Sequence, residues 1–206
     1  MYARSTTVRG KPEAVDDGIA YVRDTVMPAV QQMDGCVGLS MLCERETGRC
    51  IVTTAWADGE AMRRSAEGVM SMRQRAAEIM RGDAEVNEWE IVVLHRMHEA
   101  QEGACARVIW SQGDPARMDR VIDEFRMTMI SRIEELPGFC SVSVMVDRAK
   151  GRVATAVTYD NRDQMNRAQE QGMALRHEFN TRMGIEATEV AEFDLVLAHL
   201  HVPETV

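Results

Sequence analysis

Three kinds of chemistry-bearing side chain recur in this sequence at a nearly fixed interval. Arg4 and Arg73 reappear 103 positions later as Arg107 and Arg176, and Trp56 is answered by Tyr159 at the same interval. His95 is answered by His199 at an interval of 104. A neutral imidazole inside a pocket is a ready acid or base, so His95 and His199 are the candidate catalytic groups. A strand arginine and a helix arginine meeting from two directions suit a carboxylate or a phenolate. Each feature also has a plainer reading. A strand-end histidine can be satisfied by a hydrogen bond, the arginines can pair with Glu67 and Glu170 as surface ions, and the two aromatics can plug the ends of their cores. His95 with His98, and His199 with His201, lack a carboxylate at a spacing that would bind a metal on one face.

The elements that hold these residues recur with them. Arg45, Gly48, Arg49, Met62, Arg64, Glu67, Met70 and Met80 all return 103 positions later. Between positions 3 and 82, 19 of 80 residues are identical to the residue 103 further on, against roughly 6% expected from ordinary composition. The 206 residues therefore divide into two units, 1–100 and 101–206.

Each unit predicts the same six elements. Strands are expected over Tyr2 to Arg9 and Ala106 to Gln112, each followed by glycine and then by Pro12 or Pro115 at a helix start. Val15, Ile19, Val22, Val26, Val30 and Met33 make one apolar helical stripe, and Met118, Ile122, Phe125, Met129, Ile133 and Leu136 repeat it. Pro28 predicts a kink or an early end in the first of these helices. A hairpin then turns at Gly48 or Gly151, where a positive φ is expected, into strands Cys50 to Trp56 and Val153 to Tyr159. Asp58 and Asn161 are N-caps for long helices over Gly59 to Arg81 and Arg162 to Met183. Final strands run over Val86 to Arg96 and Val190 to His201, with Trp89, Ile91, Val93 and His95 sharing one face.

The order β-α-β-β-α-β closes as an antiparallel sheet with two helices on one face. The expected fold class is α+β, two tandem ferredoxin-like units forming a dimeric α+β barrel-like pseudo-dimer.

Composition narrows the function classes. A net charge of -9 argues against nucleic-acid and anionic-membrane partners. No apolar run reaches the roughly 18 residues of a membrane helix, and the first residues lack the core of a signal peptide, so a cytoplasmic protein is expected. The five cysteines form no CxxC pair, and Cys43, Cys50 and Cys105 are expected as buried thiols in strands. Many of the sixteen methionines fall on helix faces, which suits a pliable apolar interior.

Pro12, Gly35, the Arg45 to Arg49 turn and the run Thr54, Ala55, Trp56, Ala57, Asp58, Gly59, Glu60, Ala61, Met62 resemble the dimeric α+β barrel family of the antibiotic-biosynthesis monooxygenase type. Thr158, Tyr159, Asp160 and Asn161 keep that motif weakly in the second copy. The resemblance implies a pocket between helices and sheet in each unit, with Trp56 and Tyr159 as its walls and Arg73 and Arg176 as substrate anchors. It implies a monooxygenase without metal or flavin, acting on a small hydrophobic aromatic or polyketide-like molecule. Two alternatives follow from the same family: a haem-binding or haem-degrading protein using His177, and a non-catalytic ligand-binding or assembly module. Assembly into a homodimer is compatible with either.

Overall fold

The computed structural model describes residues 1–200, so His201 lies outside the described residues. Its elements are β1 (Tyr2–Arg9), α1 (Val15–Tyr21), a π-helical turn (Val22–Val26), α2 (Met27–Gln31), β2 (Cys36–Glu44), β3 (Arg49–Trp56), α3 (Gly59–Met80) and β4 (Asp83–Arg96). The second copy follows as β5 (Cys105–Gln112), α4 (Met118–Thr128), α5 (Ile130–Glu134), β6 (Phe139–Asp147), β7 (Arg152–Tyr159), α6 (Arg162–Arg167), α7 (Gln169–Met183) and β8 (Glu186–Leu200). The fold is α+β, with two tandem ferredoxin-like units. Their strands are hydrogen-bonded in the closed order β1-β3-β2-β8-β5-β7-β6-β4. Among the described residues no helix is long and apolar enough to cross a membrane.

The compact units exchange the ends of their last strands. One holds Met1–Trp89 together with the part of β8 from Asp194 onward, and the other holds Glu90–Phe193. In the first unit β8 pairs with β2, opposing His199 to Leu39. In the second, β4 pairs with β6, opposing His95 to Val142.

Each unit encloses its own apolar core. Val15, Val22 and Val30 on the helical side meet Leu39, Met41 and Trp56 on the sheet side of the first. Met118, Ile122, Phe125 and Ile133 meet Val142, Val144, Val157 and Tyr159 in the second. Full burial of one such side chain contributes roughly 1.5 to 3 kcal/mol, which makes these stripes the main force holding helices to sheet.

Local signals act as their residue types dictate. Gly48 and Gly151 take φ of 77° and 64° in the two hairpin turns. The Asp58 carboxylate accepts a hydrogen bond from the Ala61 amide at 2.7 Å, and the Asn161 side chain accepts one from Gln164 at 2.9 Å. Pro28 does not end its helix. Proline cannot donate to the carbonyl four residues earlier, and the chain widens into the π-helical turn just upstream before continuing to Gln31. The long helix of the second unit is divided at Ala168, although the Ala168 amide still donates to the Gln164 carbonyl.

The strict alternation expected along β4 fails at Val92, where the register against β6 shifts between Ile91 and Val93. At this β-bulge Val92 and Val93 both enter the core of the second unit, and Leu94 is buried too. The pairing of β8 with β2 skips Val196, the equivalent residue, in the same way. Cys43 and Cys50, expected as buried thiols, instead form a disulfide, because the hairpin register places them directly opposite.

Candidate functional site

Both units contain a cavity at the same place, between the helices and the strands of that unit. In the first unit it measures about 50 Å³, and its lining includes Arg4, Val26, Val52, Val69, Arg73 and Ala76. In the second it measures about 90 Å³, and the corresponding residues are Arg107, Met129, Thr155, Gly172, Arg176 and Phe179. Each of these pairs is 103 positions apart. Val69 projects a branched side chain from α3 where α7 carries Gly172, and a Cβ built there meets only Leu136 Cδ1 at 3.9 Å.

The second cavity is walled by Ile122, Phe125, Leu175 and Phe179, with Phe125 and Phe179 edge to face at 5.7 Å between centroids. Its polar groups are Arg107, Ser111, Thr155, Tyr159, Arg176 and Asn180. Tyr159 is fully buried, and the Arg107 guanidinium lies 5.9 Å from its ring centroid. Burial pushes the Tyr159 phenol above its usual range, although the Arg107 charge and hydrogen bond pull the other way.

Arg107 is held by three hydrogen bonds to two partners. Its Nε and Nη2 donate to Glu192 Oε1 at 3.1 and 2.7 Å, and Nη2 also donates to the Met165 carbonyl at 3.3 Å. Arg4 repeats this with Glu88 Oε1 at 3.1 and 2.8 Å and with the Met62 carbonyl at 2.8 Å, and adds a bond to Ser65 Oγ at 2.8 Å. The strand arginines thus pair with Glu88 and Glu192, and not with Glu67 and Glu170.

Arg73 and Arg176 differ from them. Both line their cavities half-buried, and the buried Nε of Arg73 has no hydrogen-bond partner among the described residues. Burial lowers the pKa of each and the neighbouring Arg4 or Arg107 charge lowers it further, while Glu88 acts the other way on Arg73 and Tyr159 on Arg176. An arginine remains protonated throughout the working range, so each contributes a positive charge at the cavity edge.

The structure separates the other expected site residues from these cavities. Trp56 is fully buried and its indole donates to Thr54 Oγ1 at 3.0 Å, so it closes the end of the first core without lining the cavity. His95 stacks on Phe139, and its Nε2 lies 2.5 Å from Glu134 Oε1 without hydrogen-bond alignment. Neither His95 nor His199 lines either cavity, and the strand exchange leaves each in the unit of the opposite repeat. His177 is exposed on α7, beside a Glu178 that pairs with Arg132, and it too lines neither cavity. Glu88 and Glu192 are the site residues that the sequence reading missed. The 104 interval that links His95 to His199 also links them.

Comparison with known proteins agrees with this architecture. The family model described as antibiotic biosynthesis monooxygenase matches residues 1–68. The chain is 46% identical over 206 residues to the uncharacterized protein Rv2557 of Mycobacterium tuberculosis, covering all of this chain and 92% of that one. It is 47% identical to Rv2558 of the same organism, over 207 residues, with 100% and 88% coverage. Among solved structures, a monooxygenase candidate from Lactobacillus acidophilus superposes with a TM-score of 0.71 at 10% identity, covering 97% of this chain and 96% of that one. An anthrone oxidase-like protein gives 0.68 at 12% identity with 100% and 95% coverage. A haem-degrading enzyme of Listeria monocytogenes gives 0.53 at 8% identity with 94% and 99% coverage. At such identities these structures share the fold alone.

Proposed function

We propose that this chain is two tandem copies of the antibiotic-biosynthesis monooxygenase type of unit, whose family model matches residues 1–68, and that the second cavity binds a small hydrophobic aromatic molecule and oxidises it with dioxygen. The observation that carries this reading is the cavity itself, which has apolar and aromatic walls and two guanidinium groups, one of them without a carboxylate. A volume near 90 Å³ favours a single ring over a fused polyketide, and the unbranched Met118 and Met129 side chains give way to admit it.

No separate reductant is needed for such a reaction when the substrate is a phenol with a free para carbon. That carbon takes one oxygen atom of dioxygen as a new carbonyl. The ring hydrogen and the phenolic hydrogen leave with the other oxygen as water. The phenol loses four electrons and dioxygen gains four, so the products are a quinone and one water. Arg107 and Arg176 anchor the phenolic oxygen and stabilise the negative charge that develops there, while Phe125, Leu175 and Phe179 keep bulk water from the oxygenated intermediate.

The test is oxygen uptake with a panel of single-ring phenols that have a free para carbon, with quinone formation followed by absorbance and hydrogen peroxide, which this reaction does not release, assayed alongside. One quinone should appear per dioxygen consumed, and Arg176→Met should lower kcat/KM by about tenfold or more. Ligand binding with no oxygen uptake across the panel would replace this reading with that of a non-catalytic binding module.

A further inference from the structure

Two arginines line each cavity, and a carboxylate is bonded to only one of them. In the second unit Glu192 gives Oε1 to both bonds from Arg107, and its other oxygen lies 3.4 Å from Arg162 Nη1. Arg176 lines the same cavity, and among the described residues no carboxylate reaches it. In the first unit Glu88 Oε1 likewise takes both bonds from Arg4, while Arg73 stands on the cavity with its buried Nε unpartnered. A guanidinium with no carboxylate bonded to it thus stands against apolar walls in both units, at equivalent positions, with Glu88 acting on Arg73 only through space.

We infer that each cavity recognises its ligand as a monoanion, an apolar body carrying one carboxylate or phenolate, with Arg176 as the charge partner in the second unit and Arg73 in the first. A neutral ligand would strip more water from the guanidinium and return nothing, whereas a single negative charge neutralises it. A second negative charge would meet the carboxylate of Glu192 or Glu88. The planar, two-pronged guanidinium matches either anion. This inference rests on the ligand-binding part of the proposal above and is independent of turnover.

The experiment compares probes of equal shape and different charge on the full chain. Calorimetric titration with benzoate and with benzamide should give an affinity at least about tenfold higher for benzoate. Arg176→Met should weaken benzoate by about tenfold and benzamide by less than about twofold, with Arg73→Met making the smaller contribution because its cavity is narrower. 4-Nitrophenol separates phenolate from carboxylate recognition, since only its anion is yellow. The titratable groups lining the cavity are Arg107, Arg176 and Tyr159, with Glu192 bonded to Arg107, and their sum favours the anion. Its apparent pKa when bound should therefore fall by about one unit, and return in Arg176→Met. Equal affinity for benzoate and benzamide in the wild-type protein would overturn the inference with no variant needed. So would anion binding unchanged in both arginine variants, or no binding of either anion. Charge-selective binding without oxygen uptake would instead remove only the monooxygenase reading.

Discussion

Arg107 and Glu192 lock the first and last strands of the second unit through two hydrogen bonds to a single carboxylate oxygen, and Arg4 and Glu88 do the same in the first. The arginines are almost fully buried, while the glutamates keep about half (Glu88) or a third (Glu192) of their side chains in water. Removing the carboxylate leaves a buried guanidinium held only by carbonyl and hydroxyl partners. Glu192→Ala should therefore destabilise the chain toward the lower end of the roughly 1.5 to 3 kcal/mol typical of charged hydrogen bonds, since solvent screens part of the interaction. Urea denaturation measures this. A midpoint equal to that of the wild type would mean that the pair only orients Arg107.

Gly172 and Val69 occupy equivalent helix positions on the linings of the larger and the smaller cavity. Gly172→Val should narrow the second cavity toward the size of the first. Valine is the better helix former, by a few tenths of a kcal/mol, so the fold should be retained. The expected result is a thermal midpoint at or above that of the parent, with benzoate binding in the second unit lost. Unaltered binding would place the ligand elsewhere.

Much of this was legible in the sequence because the signals are local. Apolar stripes, glycine turns and N-cap residues fix element identity within a few residues, and the repeat supplied each assignment twice. The exchange of strand ends was not legible, because periodicity shows that Val93 is buried without showing which unit buries it. Glu88 and Glu192 went unnoticed for a related reason. They lie beyond the single-residue insertion that changes the interval from 103 to 104, and a charged pair carries no periodic signature of its own. The Cys43 to Cys50 disulfide depends on hairpin register, which the Gly48 turn sets only once the strands are paired. The arginines recur visibly in the sequence, but the absence of a bonded carboxylate at Arg73 and Arg176 is a three-dimensional fact.

Tyr159 gives the chain a characteristic alkaline limit. Burial raises its pKa above the ordinary 10.0, so the folded state holds the phenolic proton more tightly than the unfolded chain does. The stability linked to this group is fully present below the pKa of unfolded tyrosine, and it drains away as pH climbs from there through the folded value. Urea midpoints measured across about pH 9 to 11 should fall with rising pH, and Tyr159→Phe should flatten that limb. A slope unchanged in Tyr159→Phe would assign the alkaline loss to other groups.

His177 distinguishes the haem reading by its position. An iron-ligating imidazole must face a crevice that covers the porphyrin and hold its other ring nitrogen in a fixed hydrogen bond. His177 faces outward from α7 and lines neither cavity, and the neighbouring Glu178 is engaged with Arg132 at 2.8 Å. Haem mixed with the purified protein should therefore show no Soret shift that depends on this residue, and wild type and His177→Ala should give superimposable spectra. A shifted Soret band that disappears in His177→Ala would instead require α7 to rotate or open on binding, and would return haem to the set of ligands for the second unit.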